Sequence, residues 1–227
     1  LPAGYEGHLV DTLGKSAKYH YYNHDASISL RFIRKKFQLS VGANMQPQHS
    51  VLSYKNMGYV IDTTRNVFNY SPTLDLRVRF SKLSQLRLFY RGSSSQPSMD
   101  DLLPIVDNSN PNNIKTGNPG LKPSFTHNMR FFYNTYNPEK QRGVVASANF
   151  AATQNKVSNI REYNPETGGW KTRPENINGY WAAGAFVGFN TALPNKRFTI
   201  NTFTRASYRN NVGFLTTGRG ANAEVNK

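Results

Sequence analysis

Seven arginines stand at alternate positions of stretches whose other positions are apolar: Arg31, Arg77, Arg79, Arg87, Arg91, Arg130 and Arg205. A guanidinium presents a rigid fork of donors that binds carboxylates and phosphates through paired hydrogen bonds. Brought to one side of a structure, these groups would steer anionic substrates or anchor the acidic groups of another segment. The plainer alternative is that they solvate a wall and pair with their neighbours. Other chemistry is thin. Asp107-Asn108-Ser109-Asn110 resembles the start of a calcium loop, but the sixth position is not Gly and no Glu stands at the twelfth. His20 and His24 are four apart in a strand-like context, where that spacing does not make one helix face, and His8, His49 and His127 are isolated. Asp100 and Asp101 are adjacent, so their side chains diverge and form no acid–base pair. There is no nucleophile elbow, phosphate loop or dinucleotide-binding glycine pattern. The expectation is a protein that is not an enzyme, with no cofactor and no metal.

The elements that would carry these arginines are strands, because the apolar period is two. Phe37, Leu39, Val41, Ala43 and Met45 alternate with Gln38, Ser40, Gly42 and Asn44. Leu74, Leu76, Val78 and Phe80 alternate with Asp75, Arg77 and Arg79, and Leu86, Leu88 and Tyr90 with Arg87, Phe89 and Arg91. The same rhythm predicts strands near 22–33, 37–46, 70–81, 85–95, 125–136, 142–155, 178–192 and 196–209, the faces of the stretch Tyr180 to Asn190 remaining ambiguous. Successive starts lie 15, 33, 15, 40, 17, 36 and 18 residues apart, a strict alternation of short and long. The short connections are tight and basic (Arg34-Lys35-Lys36, Lys82-Leu83-Ser84, Asn137 to Lys140, Pro194-Asn195-Lys196), which predicts that they face the periplasm. The long ones, 47–69, 96–124 and 156–177, are predicted as extracellular loops and are rich in Asn, Pro, Gly and Ser. Strands of about 12 residues at roughly 3.3 Å each, tilted near 40°, rise close to 30 Å, enough to cross an outer membrane. Tyr21, Tyr22, Tyr70, Phe80, Tyr136, Tyr180, Trp181 and Tyr208 fall near strand ends, where amphipathic rings suit a membrane interface.

The fold class expected is therefore all-β: an antiparallel up-and-down meander of about eight long strands over 1–227, part of a larger transmembrane barrel. A soluble sandwich also alternates, but its strands usually run five or six residues and its loops keep no short–long order. Composition agrees. In 227 residues, 37% are hydrophobic and 13% aromatic, no stretch approaches the apolar length of a spanning helix, and there is no Cys for a disulfide or thiolate–zinc scaffold. The net charge of +15 invites a nucleic-acid reading, but aromatics and arginines mostly fall on opposite strand faces and no helix-turn-helix or RNA-binding motif appears. Basic turns at an anionic membrane surface explain the charge more simply. The chain opens Leu1-Pro2-Ala3-Gly4, and its last residues, from Gly218, are small and polar without a strand pattern; both ends read as cuts in a longer chain.

The stretch Leu88 to Pro123 resembles the outer-membrane β-barrel family of TonB-dependent receptor-like proteins. Its residues are Tyr90-Arg91 at a strand end, Pro97-Ser98, the loop Asp107-Asn108-Ser109-Asn110-Pro111, and Gly117-Asn118-Pro119-Gly120-Leu121-Lys122-Pro123 opening the next strand. The resemblance implies a barrel of about 22 strands, plugged by another domain and energised through TonB. Such a protein sits in the cell outer membrane and takes up nutrients, with outer-membrane lipid, a plug domain and TonB as partners and a surface lipoprotein as a further one. The seven arginines would then line the lumen, in contact with substrate or plug. The competing expectation is a small closed barrel of eight strands with a structural or adhesive role.

Overall fold

The computed structural model describes residues 15–56, 59–195, 197–217 and 220–226; His8 and Lys196, named above, lie outside them. In chain order the elements are β1 (Lys15–Asn23), β2 (Ala26–Ile33), β3 (Phe37–Asn56), β4 (Tyr59–Ser81), β5 (Ser84–Ser95), α1 (Met99–Leu102), β6 (Val106–Asp107), β7 (Asn113–Thr116), β8 (Ser124–Asn137), β9 (Arg142–Gln154), β10 (Lys156–Asn164), β11 (Gly169–Ile177), β12 (Tyr180–Ala192), β13 (Thr199–Thr217) and β14 (Gly220–Asn226). The chain divides into two compact units, one holding residues up to Ala26 with Met45–Asn69, the other Ser27–Asn44 with Tyr70 onward.

In the first unit, β1 pairs antiparallel with the second half of β3, from Lys15 opposite Asn56 to Asn23 opposite Gln48. The pairing falters at His24, whose N–H reaches the Pro47 carbonyl at 3.1 Å. Proline has no N–H with which to return the bond. Ser50, only 2% exposed, donates to the Arg65 carbonyl at 3.2 Å, and Gln46 Nε2 donates to Asp25 Oδ1 at 2.8 Å. The segment 47–69 is therefore not a loop, as its polarity suggested: β3 runs on as a strand to Asn56 and β4 is a strand from Tyr59. Backbone pairing needs no greasy face. Beyond the lipid neither side of a strand has to be apolar, so the period-two signal fades while the ladder goes on.

The second unit carries the sheet of long strands, in the order β2-β3-β4-β5-β8-β9-β12-β13-β14. Each strand follows its predecessor through an antiparallel neighbour, with Thr73 opposite Arg91, Arg87 opposite Phe132, Arg130 opposite Asn149, Asn149 opposite Gly184, and Phe186 opposite Arg205. The short connections follow β2, β4, β8 and β12 and lie at one end. Arg34 and Phe37 exchange both backbone bonds across Lys35-Lys36, at 2.7 and 3.2 Å, and Gln141 takes a positive φ of 44° to turn the chain into β9.

Register settles the faces. Residues opposite each other in a ladder share a side. One face therefore carries Leu74, Leu76 and Val78, then Leu86, Leu88 and Tyr90, then Met129, Phe131 and Tyr133, then Ala146, Ala148 and Phe150. It continues through Trp181, Ala183, Ala185, Val187 and Phe189 to Ile200 and Tyr208, which resolves the stretch after Tyr180. Among the described residues nothing seals this face. Leu30 is 76% exposed, Ile28 64%, Val187 49% and Val41 46%, and none of Phe37, Leu39, Leu74, Leu76 and Val78 is buried. A sandwich would seal these side chains between two layers, so the soluble alternative fails. Each large apolar side chain left in water forfeits about 1.5–3 kcal/mol, which lipid contact restores.

Among the described residues β2 does not pair with β13 or β14, so the sheet does not close on itself as a small eight-stranded barrel. Some boundaries differ from the sequence reading. The strand expected at 22–33 is two, β1 and β2, and the one expected at 196–209 begins at Thr199 and runs to Thr217. The polar tail forms β14, paired with β13 from Asn211 opposite Asn226. The expected loops 96–124 and 156–177 are folded as well: β10, β11, β7 and β6 make a second sheet in that order, with β11 and β7 parallel.

Candidate functional site: an arginine face and a folded loop sheet

On the other side of the long strands, Arg77 stands opposite Arg87, Arg79 opposite Gln85, Arg91 opposite Thr73, and Arg130 opposite Phe89 and Asn149. Arg205 is opposite Phe186 and Arg209 opposite Ala182. Arg31 joins this side through Nε, 3.3 Å from Ser40 Oγ. The ladders thus bring all seven arginines to one face and add an eighth, Arg209, which sequence reasoning passed over. The signal was there, since Arg205, Ser207 and Arg209 alternate with Ala206 and Tyr208. The separation from aromatics is less clean than expected, because Phe89, Phe132, Phe186 and Phe203 share the arginine face.

Against eight guanidiniums this unit sets Asp75 on β4 and, at the far edge of the sheet, Glu224 of β14, opposite Gly213. Asp75 accepts from Arg77 Nε and Nη2, both at 3.3 Å, and from Arg87 Nε at 3.3 Å and Nη2 at 2.7 Å. It thereby screens two like charges that face each other across the ladder. Arg91 Nε reaches Ser71 Oγ at 3.4 Å. Among the described residues, the guanidiniums of Arg79, Arg130, Arg205 and Arg209 meet no side-chain partner. Side-chain partners within the face thus serve Arg31, Arg77, Arg87 and Arg91.

The aromatic rings gather toward the long-loop end of the apolar face. Trp181 lies 5.0 Å from Tyr208 and 6.2 Å from Phe150, and Tyr70 stacks on Phe125 at 5.0 Å. Tyr136 and Tyr180 instead point to the arginine side, opposite Gly143 and Thr153. Tyr21 and Tyr22 pair with Ser50 and His49 in the first unit.

The family-motif residues build the second sheet. Ser98 caps α1 by accepting from the Asp101 N–H at 3.1 Å. Asp107 Oδ1 accepts from Ser109 N at 3.1 Å, and Asn110 Oδ1 from Asn112 N at 3.1 Å, which shapes the turn at Asn108 to Pro111. Trp170 N then donates to Asn112 O at 2.9 Å and Thr172 Oγ1 to Asn113 Oδ1 at 2.7 Å, locking β7 to β11. Asn118 does the most. Its N–H donates to Asp101 O at 2.6 Å, its Nδ2 donates to Pro174 O and Glu175 Oε2, each at 3.1 Å, and its Oδ1 accepts from Gly120 N at 2.9 Å. Asn176 brackets Lys122, accepting from its N–H at 2.7 Å and donating to its carbonyl at 3.0 Å. Asn155 Nδ2 reaches Pro123 O at 3.5 Å. Leu103, Leu121, Ile160 and Ile177 are each 8% exposed or less, and Pro97 is buried with them. Pro174 of β11 and Val212 of β13 are buried as well. Asn108, Pro111, Pro119 and the Lys122 side chain face solvent. Tyr90, the strand-end residue of the motif, places its hydroxyl 3.0 Å from His127 Nδ1.

Sequence reasoning missed the far half of this lattice, Asn155, Trp170, Glu175 and Asn176, because each partner lies some 30 to 60 residues away in the chain. Asn118→Ala should cost about 1–3 kcal/mol of local stability, since it orphans buried partners as well as removing bonds. Faster amide hydrogen exchange confined to β7 and β11 is the expected readout; unchanged exchange there would contradict the role.

Among the described residues no three of His, Asp and Glu gather where a metal could be held. No curated protein matches the chain. The model of the outer membrane protein beta-barrel family matches residues 26–226, the whole run from β2 to the last residue of β14. Long antiparallel strands with an uncovered oily face and a charged opposite face are what that family requires, and the chain belongs to it.

Proposed function

We propose that this protein, a wall of an outer-membrane barrel, serves a TonB-dependent receptor that takes up a nutrient, its long loops capturing the ligand. The observation that carries the reading is the open sheet. Among the described residues the outer edge of β2 and that of β13 from Thr199 to Asn210 carry no neighbouring strand. Unpaired edges are not tolerated in hydrocarbon, so further strands complete the cylinder and its interior is wide. A wide interior has to be filled or gated, which is the part of a plug domain, and the arginine face offers acidic groups of such a domain a counter-charge. The stretch from Tyr90 to Pro123 supports TonB coupling by its resemblance, and the folded loop sheet gives a rigid platform for ligand or for a surface lipoprotein.

Growth of a deletion strain across a panel of iron chelates, sugars, peptides and vitamins tests this. Growth should fail on one nutrient at limiting concentration, and removing TonB should reproduce the defect. Uptake that persists without TonB would overturn the coupling.

A further inference from the structure

The arginine face has a hollow of about 620 Å³ where β9, β12 and β13 run side by side. Ser147, Asn149, Gly184 and Ser207 line it, with Arg205 and Arg209 beside them. Its floor is low because these side chains are small. Gly184 keeps that floor low: a Cβ there would come within 2.8 Å of Asn149 Oδ1 and displace the amide. The cations are arranged around that floor. Arg205 and Arg209 sit one row to either side of Ser207 on β13, about 13 Å apart along the strand. Arg130 stands opposite Asn149, in the same row as Gly184 and Ser207. None of the three guanidiniums has a side-chain partner among the described residues, and Asp75, on β4, is engaged by Arg77 and Arg87.

We propose that this hollow seats an acidic polypeptide segment, extended along the sheet, whose carboxylates meet Arg205 and Arg209. The proposal rests on reading the arginine face as the wall of an enclosed interior. Three features choose a peptide over a small anion. No single compact anion spans two guanidiniums about 13 Å apart, whereas side chains four residues apart on an extended chain do. The glycine floor lets a main chain approach the sheet closely. Asn149, Ser147 and Ser207 supply the donors and acceptors that peptide groups need between the charges. Charge complementarity fixes the sign, because unpaired guanidiniums on one face of an enclosed interior raise one another's energy until carboxylates arrive.

The test uses the full-length protein in outer membranes, with photoreactive benzoylphenylalanine in place of Ser207 and, as the opposite-face control, in place of Ala206. The chain has no Cys, so Ser207→Cys also adds the only thiol to these 227 residues. The expected result is a cross-link from position 207 to a peptide with at least two Asp or Glu within five residues, and to lipid from position 206. Yield at 207 should drop at least fivefold in Arg205→Gln/Arg209→Gln, a change that removes the charge but keeps a polar, hydrogen-bonding side chain and whose folding heat-modifiability checks. A cross-link to a neutral or basic peptide, no peptide adduct, or a yield indifferent to the double substitution would overturn the acidic seat. If Ser207→Cys still reacts with a water-soluble maleimide in those cases, the interior reading stands. A lipid adduct at 207, with no maleimide reaction, would overturn the interior reading itself.

Discussion

Leu88→Arg is expected to destabilise the barrel by about 2–4 kcal/mol, the depth-dependent cost of a cation facing lipid near the bilayer midplane. Leu88 lies opposite Leu76 and Phe131, in a row that continues through Ala148, Ala185 and Ala206, midway between the short turns and the ring cluster at Trp181 and Tyr208. Among the described residues nothing packs against that face to take over for water. The matched substitution Ser147→Arg, on β9, two strands along the sheet and on the opposite face, should cost less than about 1 kcal/mol, since lumen substitutions meet water. Urea titration of the full-length protein folded into phospholipid vesicles measures both. Equal penalties for Leu88→Arg and Ser147→Arg would mean that the two faces do not differ in solvent, and the membrane orientation would fall.

That asymmetry is also why so much of the wall was legible beforehand. Lipid imposes period two on Phe37 to Met45, on Leu74 to Phe80 and on Leu86 to Tyr90, and the arginines fall on the other phase by elimination. Where lipid ends, the constraint ends. From Gln46 through Asn56 and from Tyr59 through Asn69 polar residues occupy both phases, and only backbone pairing holds the strands, so the sequence looks like loop. The β10–β11 hairpin is hidden for a related reason. Its inward residues are Ile160, Thr172, Pro174 and Ile177, a mixture with no periodic apolar signature, and its turn relies on a positive φ of 68° at Gly168. The pairing of β7 with β11 joins two connections that sequence order keeps apart, and no local pattern announces it. Of the candidate site, parity along each strand placed the arginines; which of them lack a carboxylate could be learned only from the register across strands, where Asp75 turns out to serve Arg77 and Arg87 alone.

Gly117→Ala should dismantle the folded loop sheet while leaving the wall intact. A Cβ at this position would fall far inside the van der Waals contact distance of the Leu103 carbonyl oxygen and within 2.9 Å of the Asp100 carbonyl oxygen, both backbone atoms with no rotamer by which to withdraw. Overpacking a tight site costs about 1–3 kcal/mol even where side chains can shift. Here the obstruction is main chain, so the upper end applies, and the neighbours must move with it. Asn118 would lose its bond to Asp101 O, and through Asn118 the strand end at Pro174 and Glu175 would come free. Leu103 and Leu121, 8% and 6% exposed, would open to water along with the rest of that small core. Surface proteolysis of intact cells reads the outcome, with cleavage expected within 96–124 and 156–177 at least tenfold faster than in the parent. The gel shift on heating that reports a folded barrel should persist, because no spanning strand touches Gly117. Proteolysis unchanged from the parent would show that the loops hold their shape without the Gly117–Leu103 contact, and would remove the rigid platform on which ligand capture has been placed.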